Sequence, residues 1–466
     1  MSVPVRVRFA PSPTGYLHIG GLRTALFNWL FARHNNGIFL VRIEDTDAQR
    51  NKAEYVDALF AALAWAGMES DETILFQSQR LEIYNEHAER LIARGLAYRC
   101  SCTDDEIEAR VRVAGDMQEF YHYDGYCKLN RYEGARPTAI RFAVQDDAQL
   151  LSFDDAIRGT VSVEASQIED FVIVRSDGLP TYNFAVVIDD AASSITHVIR
   201  GEDHVSNTPK QLLLYQAFGY KMPTFAHIPM ILGPDGSKLS KRNAAVDVLE
   251  YKRAGYLKDA LLNYVARLGW AHGDQEIFSM YELISAFTLE AVGKKAAIFD
   301  VAKLQWLNGV YMRESTAQNL AHEARECGYP FESVCTEWSL EQLYKAINLY
   351  KDRVKTIREL YDVLFAVYRG PSVYDKADVD AVVRPQVDLL GTFIATLEQQ
   401  NSFDHAHLAV VTKEFCKLHD IKLPSIAQPV RLALTGTLSS PGVFEMLELI
   451  GKEESLRRFS RLFATL

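Results

Sequence analysis

The stretch from Arg8 to Gly21, RFAPSPTGYLHIGG, limits the fold of this chain more than any other. It follows a segment, Val3 to Phe9, in which Val5, Val7 and Phe9 alternate with Arg6 and Arg8, the period of a strand. Pro11 and Pro13 rule out a continued ladder and turn the chain. Gly15, Gly20 and Gly21 remove side chains where the backbone would approach something bulky. A helix is expected from about Gly21 to His34, with Leu22, Leu26, Trp29 and Leu30 at helical spacing and Asn35-Asn36-Gly37 as its stop. Ile38 to Ile43 reads as the next strand. A strand–turn–helix–strand unit with a glycine-rich turn suits a phosphate, because free N–H groups and the positive helix end converge there. Ser12 and His18 add side-chain donors. A plain tight turn has the same pattern, so this stretch alone leaves both readings open.

Far along the chain, Gly233 to Arg242 reads GPDGSKLSKR. Pro234-Asp235-Gly236 is a turn, and Lys238, Lys241 and Arg242 crowd its far side. Three cations on one loop suit a polyphosphate, although a solvated basic loop looks the same when read alone.

The two stretches together are more specific. PSPTGYLHIGG and KLSKR resemble the paired signatures of class I aminoacyl-tRNA synthetases, written in general as HIGH and KMSKS. FAPSPTGYLHIGGLRTALFNWLFAR, RIEDTD and HVIRGEDHVSNTP resemble the bacterial glutamyl-tRNA synthetase family, and the likeness spans essentially the whole chain. Gly21 stands where the general class has a second His, and Leu239 and Arg242 replace Met and Ser; both departures are usual in the glutamyl branch.

Composition fits a large soluble enzyme. The chain has 466 residues and is 48% hydrophobic, enough for about three domains. It shows no apolar run of membrane-helix length, and its start lacks the apolar core of a signal peptide. A cytoplasmic protein is expected. Six cysteines in this length do not suggest a disulfide framework. The net charge of −11 argues against nucleic-acid binding over the whole surface, but a local basic stripe would suffice.

The resemblance implies an α/β fold. A Rossmann-type catalytic domain (residues 1–96 and 185–245) carries an α+β insertion (97–184) that grips the acceptor end of tRNA. A stem-contact domain (246–313) and an all-α anticodon-binding region (314–466, divided near 371–380) follow. The residue patterns agree. Strands are expected at 140–144, 160–164, 171–175, 182–188, 195–199 and 227–232, and helices dominate beyond Arg313, with Pro371 and LPSIAQP as breaks. Lys351, Arg353, Lys355 and Arg358 form a basic cluster, either facing anticodon phosphates or a solvated helix face.

The resemblance also places residues. Arg8, Ala10, Ser12, Glu44, Tyr182 and Arg200 surround glutamate, with Glu44 meeting its ammonium. Either Arg could fork onto a carboxylate, and a bridge to Asp45 or Asp203 is the alternative. Thr14, Gly15, His18, Gly20, Gly21, Glu202 and Lys241 would bind ATP. His18, Lys238 and Lys241 would be catalytic, steadying the triphosphate as pyrophosphate leaves. Mg2+ accompanies ATP. Asp47 is expected to cap the helix that follows it rather than to meet ligand. Cys100, Cys102 and Cys127 have partial zinc spacing, and Tyr123 matches a tyrosine used by relatives, so one structural Zn2+ is expected. ATP, L-glutamate and tRNA(Glu) are the expected partners, with no membrane, and a monomer is expected.

Rival readings are a small-molecule nucleotidyl transferase, a glutamyl-transferring tRNA-modifying enzyme, a glutaminyl-tRNA synthetase, and a tRNA-binding regulator. The long helical C-terminal half counts against the first two. A β-barrel would be needed for the third. The presence of His18, Lys238 and Lys241 counts against the fourth.

Overall fold

The alternation of short apolar strands with helices in the first 230 residues builds a parallel sheet. A computed structural model describes residues 4–47, 50–113, 123–130, 136–145, 149–237, 239, 247–333 and 335–466. The chain divides into two compact units, Met1–Leu249 with Leu262–Asp300, and Glu250–Leu261 with Val301–Leu466.

In the first unit, β1 (Arg6–Phe9) leads through the glycine-rich turn into α1 (Ile19–His34) and returns as β2 (Ile38–Ile43). The strands are parallel, with Phe9 opposite Val41. Then come α2 (Ala53–Ala66), β3 (Leu75–Phe76) and α3 (Leu81–Ala93). Asp47 does not cap α2: that helix is preceded by Lys52 with no side-chain cap bond, while Asp47 accepts from Arg50 Nε at 2.6 Å. The cap is misplaced because the described residues 44–47 and 50–52 are not helical and α2 starts only at Ala53.

The next segment holds β4 (Ala97–Cys100), α4 (Asp104–Val113), α5 (Tyr126–Leu129) and β5 (Ala139–Phe142), then the hairpin β6 (Leu150–Asp155) and β7 (Gly159–Glu164), and β8 (Val172–Val174). Strands β4, β5 and β8 form a small antiparallel sheet. The hairpin does not join it. Instead β6 pairs in parallel with β10 (Thr224–Ile228), extending the main sheet, and β10 pairs in parallel with β9 (His197–Gly201).

Tyr182 to Ile188 is not a strand. It opens α6 (Tyr182–Ala192), whose residues from Phe184 to Asp190 are all buried. A helix covered on all sides shows an unbroken apolar run, which periodicity cannot tell from a buried strand. Helix α7 (Thr208–Phe218) links β9 to β10. The segment expected as one strand over 227–232 is split at Pro229 into β10 and a two-residue strand, Ile231–Leu232.

Strand order is β3-β2-β1 on one side and β9-β10-β6-β7 on the other. The halves are stitched by Thr196 N–H to Arg6 O (2.9 Å) and Arg6 N–H to Thr196 Oγ1 (2.8 Å). Successive strands are therefore added outward in opposite directions from β1 and from β9, which opens a crevice at the carboxyl ends of the strands.

The second unit is helical in its described regular elements. Its core runs from Leu257 through Leu320, Ile347, Leu364, Phe393, Val430 and Leu447 to Leu462. Ser339 and Gln342 form a capping box, and Thr356 and Asp404 cap their helices by side-chain oxygen. LPSIAQP does not interrupt helix formation. Leu423–Thr435 is one helix, with Pro424 in its first turn and Pro429 inside. The burial of Ile426, Val430 and Leu432 outweighs the backbone bond that Pro429 cannot make. Val379–Glu398, helical in period throughout, breaks near Pro385: a π-type turn (Val379–Val383) and a 3-10 turn (Arg384–Gln386) precede the helix Val387–Glu398.

Candidate functional site

The crevice holds a cavity of about 610 Å3 lined by the carboxyl ends of β1, β2, β9 and β10 and by the start of α1. Arg8, Ala10, Ser12, Gly15, His18, Gly20, Gly21, Glu44, Tyr182, Arg200 and Glu202 all line it. Thr14 is exposed, its N–H bonded to Ser12 O at 2.9 Å, and is not part of the wall. Lys238 and Lys241 lie outside the described residues. Leu239, from the same loop, lines the cavity.

His18 is the N-cap of α1. Its Nδ1 accepts from the N–H groups of Gly20 (3.0 Å) and Gly21 (3.2 Å). Accepting there puts the ring proton on Nε2, so the imidazole is set as a donor at the positive end of a 16-residue helix. Gly21 keeps the same corner slim: a Cβ there would lie 2.7 Å from Leu17 Cδ1, so the leucine side chain would have to move aside. Gly15 has no neighbour within 4 Å of where a Cβ would be, so its surroundings are open.

The cavity floor is a buried charge network. Arg8 donates to Asp190 through Nε (3.0 Å) and Nη2 (3.2 Å). Arg42 reaches Asp190 at 2.5 Å and Glu44 at 3.0 Å. Burial alone would raise the Asp190 carboxyl, but Arg42 and Arg8 outweigh it and hold it below the usual carboxylate range. Glu44 goes the other way. Burial raises its carboxyl above the ordinary value because Arg42 offsets only part of the desolvation, so an arriving ammonium would complete its pairing. Neither Arg8 nor Arg200 pairs with Asp45 or Asp203. Asp45 instead accepts from the backbone and hydroxyl of Ser78, at 2.8 and 2.6 Å.

Arg200 has different company. Its guanidinium donates to His227 Nε2 (3.1 Å), the Tyr182 hydroxyl (3.3 Å), Thr208 Oγ1 (2.8 Å) and the His204 carbonyl (3.4 Å). Among the described residues no carboxylate forms an ion pair with it. Burial lowers its pKa accordingly, and burial with the nearby Arg200 cation lowers the His204 imidazole to about 4. Arg23, also buried, donates to the carbonyls of Leu268 (2.8 Å) and Pro229 and so anchors α1 against the strand that follows β10. Glu202 accepts from Met230 N–H at 2.7 Å and bridges to Arg158, framing the rim where Met230 faces the cavity.

Sequence reasoning missed Arg42, Asp190, His204, Asp155 and His227. A signal existed for Asp190: two aspartates ending an otherwise apolar run, VVIDD, must be buried with partners.

A second cluster sits at the end of β4. The thiols of Cys100, Cys102 and Cys127 lie within 4.8 Å of one another, with Cys102 Sγ 3.3 Å from Cys127 Sγ. The Tyr123 hydroxyl is 3.4 Å from Cys100 Sγ and accepts from Cys127 N–H at 2.9 Å. Arg110 donates to Cys102 Sγ at 3.2 Å.

Comparison with known proteins decides the family. The family model of the catalytic domain of class I tRNA synthetases (E and Q) matches residues 4–306, and that of an anticodon binding domain matches residues 318–463. The chain belongs to the glutamate–tRNA ligase family of class I synthetases. It is 45% identical to a glutamate–tRNA ligase of Geobacter sulfurreducens, covering 99% of both chains. It is 44% identical to one from Thermodesulfovibrio yellowstonii, covering 98% of this chain and 99% of that one. A solved glutamate tRNA ligase of Elizabethkingia meningosepticum, in complex with its amino acid, superposes with a TM-score of 0.89 at 32% identity over 100% of each chain.

Proposed function

We propose that this enzyme joins L-glutamate to the 3′ end of tRNA(Glu) in two ATP-dependent steps, through a glutamyl-adenylate. The observation that carries the reading is the distribution of charge in the cavity: a buried guanidinium at Arg200 that forms no ion pair with a carboxylate among the described residues, a buried carboxylate at Glu44 whose desolvation Arg42 offsets only in part, and a histidine donor at the helix end. Arg200 with Tyr182 takes a carboxylate of glutamate. Glu44 takes the ammonium. Arg8, already shared with Asp190, closes the pocket beside Ala10 and Ser12.

ATP lies across the glycine-rich corner, near Thr14, Gly15, Gly20 and Gly21, with Glu202 and Met230 at the adenosine end. The α-carboxylate attacks the α-phosphorus and pyrophosphate leaves. His18 Nε2–H steadies the charge that develops on the phosphate oxygens, and Lys238 and Lys241 neutralise the leaving group. The Mg2+ that accompanies ATP, held by phosphate and water, adds further neutralisation. A terminal tRNA ribose hydroxyl then attacks the acyl carbonyl, the ester forms, and AMP leaves with the electrons of the broken anhydride bond.

We assign residues 97–184 to acceptor-end binding, 246–313 to stem contact and 314–466 to anticodon binding. Cys100, Cys102, Cys127 and Tyr123 would hold one structural Zn2+. Three clustered thiols with a phenol oxygen among them fit a four-ligand zinc site, and metal analysis should find one Zn2+ per chain, lost in Cys127→Ala.

ATP–pyrophosphate exchange tests the reading. Exchange should require glutamate and tRNA together, and glutamine should support little. Exchange with glutamate in the absence of tRNA, or with glutamine at the same rate, would overturn it.

A further inference from the structure

The mechanism leaves two fully buried titratable side chains unused, Asp155 and His227. Asp155 ends β6. Its Oδ1 accepts from the N–H groups of Ile157 (2.9 Å) and Arg158 (2.8 Å), which fixes the turn of the β6–β7 hairpin. Its Oδ2 lies 2.6 Å from His227 Nδ1 on β10, and both side chains are 0% exposed. His227 Nε2 in turn lies 3.1 Å from Arg200 Nε on β9. The three side chains thus cross three neighbouring strands, β6, β10 and β9, and end at the cavity.

The hydrogen-bond roles are fixed from both ends. A guanidinium can only donate, so Nε2 must present a lone pair to Arg200. An ionised Asp155 can only accept, so Nδ1 carries the proton. The imidazole is therefore neutral and held in one tautomer. Phe225 lies parallel to it, 7° between planes, and also sits under the Arg200 guanidinium at 5.6 Å. Thr208 and the His204 carbonyl hold the far side of the guanidinium.

The contrast with Arg8 gives this arrangement its meaning. Arg8 is oriented by a carboxylate, Asp190, which also cancels its charge. Arg200 is oriented as firmly, but through hydrogen bonds to neutral groups, with Asp155 set one imidazole further back. We propose that Asp155 and His227 are positioning residues that aim Arg200 at the cavity while leaving its positive charge for the substrate, so that the pair helps select glutamate over glutamine. This rests on the assignment of Arg200 to a substrate carboxylate.

Full-length variants test it by tRNA-dependent ATP–pyrophosphate exchange, with separate KM values for glutamate, glutamine and ATP. His227→Phe keeps the aromatic packing and removes the acceptor. It should raise the glutamate KM about 10- to 100-fold, the effect of losing a hydrogen bond to a charged group. It should leave the ATP KM within about twofold and narrow the preference for glutamate. Asp155→Asn should do the same more weakly. His227→Gln, which offers an amide oxygen to Arg200 and an N–H to Asp155, should recover most of the loss. In the double variant with Arg200→Lys, the His227→Phe effect should vanish. If His227→Phe does not fold, the Asp155→Asn and His227→Gln pair carries the test. An unchanged glutamate KM in Arg200→Lys would overturn the Arg200 assignment. A raised KM in Arg200→Lys with wild-type values in the His227 and Asp155 variants would overturn the positioning role alone, as would equal losses for ATP and glutamate or additive effects in the double variant.

Discussion

Asp190 serves two cations at once: Arg8 leans on both its oxygens, and Arg42, which also holds Glu44, leans on one. Replacing it by Asn would leave two buried guanidiniums sharing Glu44. Breaking a buried pair by removing one partner costs about 3–5 kcal/mol, and Asp190→Asn should lower the urea midpoint by a corresponding amount. It should also raise the glutamate KM, because Arg8 and Glu44 lose their common anchor. A full-strength midpoint with normal glutamate kinetics would show that the network contributes little. Histidines elsewhere in the first unit set a pH response. Burial holds His197, His204 and His227 below their ordinary 6.5, His204 to about 4, so the unfolded chain binds protons that the folded one refuses. Their contribution is complete above pH 6.5 and is lost as pH falls toward 4. Asp190 adds a second loss below its ordinary 3.8. Urea midpoints taken between pH 7.5 and 4 should therefore fall steadily, and a flat profile above pH 4.5 would contradict this. At this scale the sequence disclosed half of the pocket. Arg8, His18, Glu44 and Arg200 lie in recognisable motifs, whereas Asp155, Asp190 and His227 reach them from other strands and helices, and nothing in their local sequence names their partners.

Elements were legible where one face met solvent and illegible where none did. Strand β2 was found to the residue and α1 to within two, because glycine, asparagine and proline mark their ends. Helix α6 reads as a strand in sequence because it is buried on every side, and the helix at Leu423 reads as a break because of two prolines. The C-terminal helices carry a further device. Arg458, 1% exposed, donates to the carbonyls of Leu434 (2.6 Å), Val367 (2.8 Å) and Tyr368 (3.1 Å). It thereby closes the ends of two helices, Leu423–Thr435 and Ile357–Arg369. Gly370 follows the second at φ +69°, and a Cβ there would stand 2.7 Å from Arg458 Nε. Arg458→Met should cost about 2–4 kcal/mol by stranding those carbonyls, measured by thermal or urea denaturation, and Gly370→Ala should be destabilising too. A variant as stable as the parent would mean that water replaces the guanidinium without loss.

For the whole molecule, the net charge of −11 and a polyanionic substrate are compatible only if cations gather locally. In the helical unit Arg353, Lys355 and Arg358 are exposed, while Lys351 donates to the Ser315 carbonyl at 2.7 Å. If these side chains meet tRNA phosphates, Lys355→Glu with Arg358→Glu should raise the KM for tRNA about tenfold or more and flatten its salt dependence, with the KM for ATP unchanged. An unaltered tRNA KM would assign them to a solvated face. The fold class and the order of its parts were readable from the chain because the βαβ start and the helical tail differ in period. The route of the middle segment was not, since strand pairing between residues 155 and 225 leaves no local trace.

That pairing has a consequence for anyone who trims this enzyme. The β6–β7 hairpin lies inside the segment inserted between the halves of the nucleotide-binding core, yet the last residue of β6, Asp155, holds the imidazole on which Arg200 rests. A minimal catalytic fragment made by cutting out residues 97–184 would keep every signature motif and lose both Tyr182 and the brace behind Arg200. A cut that spares the hairpin and Tyr182 would keep them.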